Sequence, residues 1–262
     1  MSCELVISGW YASDTPRTYV TAGDEVIRGP GFRSLWWRSL DQYVRPDNVL
    51  IVDSASPVKA DDAAHTTTRF QRLELSRNPG HAQTTTSHYC GYMASVLLGL
   101  EYALQNGVDM VVYVEQDALV YGDHIIARTK RALQRSDLVV GSDSRQIQQS
   151  YFAVTQRGLR RFLAALHGIR YSDKQVAPEH KFMFAATRWL PSLALELAVY
   201  RPGPLRPARM RLFWLLATLA RGYEVLPFGY GRRRPIDFRD EVFYFQHGTA
   251  AEISQYRSLT GF

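Results

Sequence analysis

The chain has little cysteine, little lysine and no long apolar run. Only Cys3 and Cys90 occur among 262 residues. A disulfide framework is therefore not expected, and both side chains are read as thiols in a reducing compartment. The longest apolar stretch, around Leu212 to Ala220, is far too short to cross a bilayer. Met1-Ser2-Cys3-Glu4 has no basic leader before its short apolar run, so no secretory signal is expected. No segment repeats, and no tract is compositionally simple. No G-x-G-x-x-G follows the first apolar run and no Walker A loop occurs, which argues against dinucleotide oxidoreductases and P-loop enzymes. These absences point to a cytoplasmic protein, soluble or lying against the inner face of the membrane.

Hydrophobic residues make up 46% of the chain and charged residues 21%. That composition supports a sizeable core, in one large domain or two small ones. The net charge is +6, and only four of the 31 basic residues are lysine. Arginine suits bidentate phosphate contacts. The excess equally fits nucleic acid, an anionic membrane or a plain solvated surface. The basic residues are dispersed and carry no recognition motif, so a nucleic-acid-binding module is the weaker reading and no nucleic-acid partner is expected.

Along the chain, Leu5 to Ser8 reads as a first strand and Phe32 to Val44 as a helix with Leu35, Trp36, Leu40 and Tyr43 at helical spacing. Val49 to Val52 is a second buried strand ending at Asp53. Residues 55 to 87 are polar and turn-rich, with a short strand at Gln71 to Leu75. Ser87 is placed to cap a helix whose apolar stripe runs from Tyr92 to Leu104 and stops at Asn106-Gly107. Met110 to Val114 is a strand, followed by a helix from Asp123 to Gln134 and a strand at Asp137 to Val140. Tyr151 to Thr155 and a helix through Leu159 to Leu166 continue the pattern. This alternation predicts an α/β protein around a mostly parallel sheet. Arg201 to Pro207 reads as a rigid linker, followed by a basic-flanked apolar helix from Met210 to Arg221. An arginine loop and a strand from Val242 to Phe245 close the chain.

The sharpest chemical signal is Glu115-Gln116-Asp117, two carboxylates directly after an apolar strand. Open α/β sheets bind ligands at the carboxyl ends of their strands. Carboxylates this close repel unless a cation or proton compensates. A hard divalent ion gripping a diphosphate does so. Arg232, Arg233 and Arg234 fit a loop that closes over phosphates, or a solvated face. Asp143 and Arg145, after the strand at Val139-Val140, fit contacts to hydroxyl groups. The segment from Arg206 to Arg221 fits an anionic membrane surface, a core helix or a dimer face.

In this order of elements and in Glu115-Gln116-Asp117, the chain resembles the GT-A glycosyltransferases, over roughly residues 3 to 190 with a looser echo near His247. The resemblance implies a three-layer sandwich with a Rossmann-like nucleotide-binding half, a catalytic core over residues 1–200, and a C-terminal extension, 201–262, that completes the active site. It implies a sugar moved from a nucleotide-diphosphate donor, UDP- or GDP-linked, to a saccharide, glycolipid or other hydroxyl acceptor. Ser8, Gly9, Trp10 and Asp53 would cradle the nucleotide. Asp117 would ligate Mn2+ or Mg2+, with Glu115 on the metal or a ribose hydroxyl. The family's usual motif is aspartate, any residue, aspartate; here its first position is glutamate. Glu179, after Pro178, matches the catalytic base of the inverting branch, and Asp173 is the reserve. His247 matches a late histidine that reaches the metal or diphosphate. A sugar-phosphate nucleotidyltransferase is the alternative, but Gly9 to Arg17 lacks its glycine-rich basic loop.

Overall fold

The computed structural model describes residues 3–15, 23–59, 61–142, 147–187 and 203–262. Asp143 and Arg145 lie outside these residues.

The apolar runs form the strands β1 (Cys3–Trp10), β2 (Pro46–Asp53), β3 (Phe70–Glu74), β4 (Met110–Val114), β6 (Leu138–Ser142), β7 (Ile147–Thr155) and β8 (Glu224–Val225) of one sheet. Their order is β3-β2-β1-β4-β7-β6-β8. The β1–β2, β1–β4, β2–β3 and β6–β8 pairs are parallel; β7 runs antiparallel to both β4 and β6. Strands β5 (Ala118–Tyr121) and β9 (Phe243–Gln246) make a separate antiparallel pair.

The helices lie on both faces. One face carries α1 (Pro30–Ser39), extended by a π turn at Leu40–Val44, together with α3 (Ile125–Leu133), the β5–β9 pair and α7 (Ala250–Thr260). The other carries α2 (Gly91–Gln105), α4 (Gln156–His167), α5 (Pro178–Ala185) and α6 (Arg206–Leu219). Central strands covered on both sides read as near-continuous apolar runs, as in β4, where all five residues are buried. The result is an α/β three-layer sandwich around a mostly parallel mixed sheet, Rossmannoid in form. Residues after 203 are woven into it: β8 extends the main sheet, β9 pairs with β5, and Phe213, Ala217 and Ala220 of α6 enter the core. No helix among the described residues is long and apolar enough to cross a membrane.

Five details differ from the sequence reading. Ser87 does not cap α2; Cys90 is the N-cap, and its N–H donates to the Asp173 carboxylate at 2.6 Å. Ser87 instead sits in a turn with its N–H on the Thr85 hydroxyl. Helix α6 begins at Arg206, so the end of the expected linker is helical, with Pro207 tolerated in the first turn. Strands β5 and β8 and helix α7 were not expected at all. Both cysteines are free and buried, and burial pushes each thiol up to about 12, aided at Cys90 by Asp173. Such thiols are inert at neutral pH.

Helix α2 lies so close on β1 that glycine is required at the contact. A Cβ on Gly99 would stand 2.3 Å from Ile7 Cγ2, and one on Gly9 2.2 Å from Ser95 Oγ. Ile7 is a stiff β-branched core residue and cannot yield. Gly99→Ala is expected to destabilise the fold by about 1–3 kcal/mol. Thermal unfolding reads this as a lower midpoint; an unchanged midpoint would contradict the packing.

Candidate active site at the carboxyl ends of the central strands

The parallel strands deliver their last residues to one edge. Register pairs Trp10 with Asp53, and Ile7 with Tyr113, so Ser8 to Trp10, Asp53 and Glu115 end together. Because β7 is antiparallel, its first residues reach the same edge: Val114 pairs with Tyr151, and the Glu115 N–H donates to the Ser150 carbonyl at 2.9 Å. The second sheet brings in the late histidine. Ala118 of β5 pairs with Gln246 of β9, which sets residue 247 beside residue 117.

Glu115, Asp117 and His247 therefore converge, joined by a residue the sequence reading did not single out. Gln246 Nε2 donates to Glu115 Oε2 at 2.7 Å and to Asp117 Oδ1 at 3.2 Å. His247 Nε2 lies 3.0 Å from Asp117 Oδ2, and the His247 N–H donates to the Asp117 carbonyl at 3.3 Å. His247 adopts φ 56°, a left-handed conformation that costs a non-glycine residue roughly 1–2 kcal/mol. Strain of this kind clusters where a side chain must be aimed. The middle residue of the acidic motif works inward: Gln116 Oε1 accepts the Tyr11 N–H at 2.8 Å, locking the motif to the end of β1. Trp36 on α1 donates its indole N–H to the Glu115 carbonyl at 3.1 Å.

Glu179 stands in the first turn of α5, partly buried. The Tyr92 hydroxyl on α2 is raised well above its ordinary value by burial, then by Tyr113, Glu115 and Glu179. Both carboxylates thus act on the same phenol, which donates to the Gln149 carbonyl at 3.3 Å. Asp173 is different. Its carboxylate is enclosed, 2.6 Å from the equally enclosed Lys181 ammonium, and it accepts the Cys90 N–H. It ties the start of α2 to α5.

The remaining expected residues separate into structural and exposed groups. Asp53 is buried; its Oδ1 accepts the Ser56 N–H at 2.7 Å and its Oδ2 lies 3.7 Å from Arg72. Gly9 serves the α2 contact described above. Arg234 donates to the carbonyls of Gln246 and His247 at 2.8 and 3.1 Å and pairs with Glu252 of α7. It clamps the site's backbone. Arg232 and Arg233 are exposed, with Arg233 lying over the Tyr230 ring.

Several buried polar atoms at this edge have no hydrogen-bond partner among the described residues: Ser8 Oγ, Trp10 Nε1, Gln149 Nε2, Ser150 Oγ and His247 Nδ1. Buried polar groups are nearly always paired, so unpaired ones mark places where a ligand or water is received. Among the described residues no group of three or more His, Cys, Asp or Glu side chains is set to hold a metal ion.

No family model and no curated protein matches the chain. Among solved structures it is similar to the mannosyltransferase PcManGT from Pyrobaculum calidifontis, in complex with GDP-Man and Mn2+. The identity is 15%, with 82% of this chain and 73% of that chain covered and a TM-score of 0.41. It is also similar to a putative glucose-1-phosphate thymidylyltransferase from Bacillus anthracis, in complex with a sucrose. Here the identity is 10%, with 98% of this chain and 95% of that chain covered and a TM-score of 0.42. The chain's own strand order and register establish a Rossmannoid α/β sandwich with a carboxylate–imidazole pair at its strand ends.

Proposed function

We propose that the protein is a glycosyltransferase that moves a sugar from a nucleotide-diphosphate donor to a hydroxyl acceptor with inversion. The observation that carries this reading is the convergence of Glu115, Asp117 and His247 on the Gln246 amide at the ligand-binding edge of the sheet. The buried, unpaired hydroxyl and N–H groups of Ser8, Trp10, Gln149 and Ser150 beside it suit a ligand rich in hydroxyl and phosphate oxygens.

The donor set fits a divalent ion in a particular way. Asp117 and His247 offer one carboxylate and one imidazole, too few for an all-protein cage. Ions of the Mg2+ and Mn2+ kind are commonly held by one or two protein side chains, with substrate phosphates and water completing the shell. The imidazole favours Mn2+. When bound, the ion supplies charge neutralisation to the departing diphosphate. Glu115 holds the Gln246 amide and, with it, the aim of Asp117.

Glu179 takes the proton of the acceptor hydroxyl as that oxygen bonds to the anomeric carbon. The bond between that carbon and the diphosphate breaks, and the nucleoside diphosphate leaves with its electron pair. General-base assistance of this kind contributes about 10²–10⁴-fold. Glu179→Gln is therefore expected to lower transfer by that factor while leaving donor binding unchanged. The test is a transfer screen across UDP- and GDP-sugars with Mn2+, read by nucleoside diphosphate release. Consumption of no nucleotide sugar by the wild type, or equal transfer by the variant, contradicts the proposal.

A further inference from the structure

We infer that the outer face of α6 is a docking surface for an anionic lipid bilayer. This goes beyond the chemistry proposed for the strand ends and does not depend on it. Helix α6 presents two unlike faces. Phe213, Ala217 and Ala220 are buried in the core. On the other side Leu205, Leu212, Leu215 and Leu219 are 66%, 55%, 56% and 71% exposed. Their spacings of seven, three and four align them in one stripe. Leucines of this exposure, aligned over a whole helix, are unusual on a monomer that meets only water.

Charge selects the partner. Between Glu196 and Glu224 the sequence has no acidic residue but has Arg201, Arg206, Arg209, Arg211 and Arg221. Arg211 and Arg221 are exposed. A second copy docking face to face would oppose arginine with arginine, because a two-fold interface pairs a patch with itself. Nucleic acid would satisfy the arginines and leave the leucines in water. A bilayer with anionic headgroups satisfies both: leucines enter the acyl boundary while arginine stems lie along it with their heads among the phosphates. With 14 residues, α6 lies on the membrane and does not cross it.

The test is co-sedimentation of the full chain with vesicles of phosphatidylcholine, alone or with roughly one-third phosphatidylglycerol. The wild type is expected to partition about tenfold or more in favour of the anionic vesicles, less so at high salt. Combined Leu212→Ser, Leu215→Ser and Leu219→Ser should lower partitioning on the order of tenfold or more. Arg211→Gln should lower it several-fold, by about the contribution of one basic residue near the surface. Leu219→Ser alone, at the most exposed position, tests the same face with the least risk to folding, and circular dichroism checks each variant. Equal partitioning of wild type and variants overturns the inference, as does absence of wild-type binding. A wild-type dimer that the leucine variants convert to monomer, with no vesicle binding, would assign the face to self-association and overturn it as well.

Discussion

Asp117→Asn is expected to lower turnover of the nucleotide-sugar donor on the order of 10³-fold, the cost of removing a preorganised charge partner of a developing anion. The substitution keeps the side chain's shape and removes its charge. Asp117 is buried, accepts from Gln246 Nε2 and faces His247 Nε2 at 3.0 Å. The variant therefore loses the only carboxylate in direct contact with the histidine among the described residues, and with it the pair proposed to hold the ion against the diphosphate. The fold should survive, because Asp117 joins β9 through its backbone carbonyl as well. Steady-state donor hydrolysis in Mn2+, with circular dichroism as the folding control, reads the effect. Turnover within a few-fold of wild type would remove Asp117 from the reaction.

The largest expected effect on stability belongs to Asp62, outside the acidic motif. Its side chain is fully enclosed and accepts from Arg33 Nε at 2.5 Å, from Arg33 Nη2 at 2.6 Å and from Trp37 Nε1 at 2.9 Å; Arg72 Nη2 also donates to it. Arg33 in turn lies 4.0 Å over the Trp10 ring, at the end of β1. Asp62→Ala leaves the buried Arg33 guanidinium uncompensated. Breaking one side of such a pair costs about 3–5 kcal/mol, a large share of a typical fold's stability. Burial pushes the Asp62 carboxyl up, but the bonds from Arg33 and Trp37, the Arg33 charge and the Arg72 bond outweigh it, and the net shift is below the ordinary 3.8. A depressed folded value means that the stabilisation is complete above 3.8 and fades as pH falls through the folded value. Urea unfolding at neutral pH should show the full deficit of Asp62→Ala. The deficit should shrink in acid below the ordinary carboxyl value. A deficit that is constant with pH would contradict the ion-pair account.

The elements with strong periodicity or unbroken apolar runs were legible in the sequence. Strands β2 and β4 and helices α2 and α4 stand where spacing and composition placed them, with boundaries moved by a few residues. Strand β5 was not legible, because its four residues are too short to show a period and follow the acidic motif at once. Helix α7 had a signal, since Thr249 and Glu252 form a capping box. Its apolar face is thin, with only Ile253 and Tyr256 buried, so periodicity did not mark it.

The site was legible in part for the same reason. Glu115 and Asp117 announce themselves by following a buried strand. Their meeting with Gln246 and His247 depends on the register of β5 and β9, a long-range pairing that no local pattern encodes. Asp62 is the clearest miss. It lies in a polar, turn-rich stretch beside Asp61, and nothing local separates the buried carboxylate from its exposed neighbour. Within the arginine triplet, Arg234 holds the backbone of residues 246 and 247, a role that composition cannot distinguish from phosphate binding.

The most direct test of the carboxylate–imidazole site is calorimetric titration of UDP and GDP into the wild type and Asp117→Asn, each with and without Mn2+. The account predicts that one of the two nucleotides binds the wild type in a metal-dependent manner and that the metal dependence disappears in the variant. Binding that is the same with and without Mn2+ in both proteins, or no nucleotide binding at all, would contradict it.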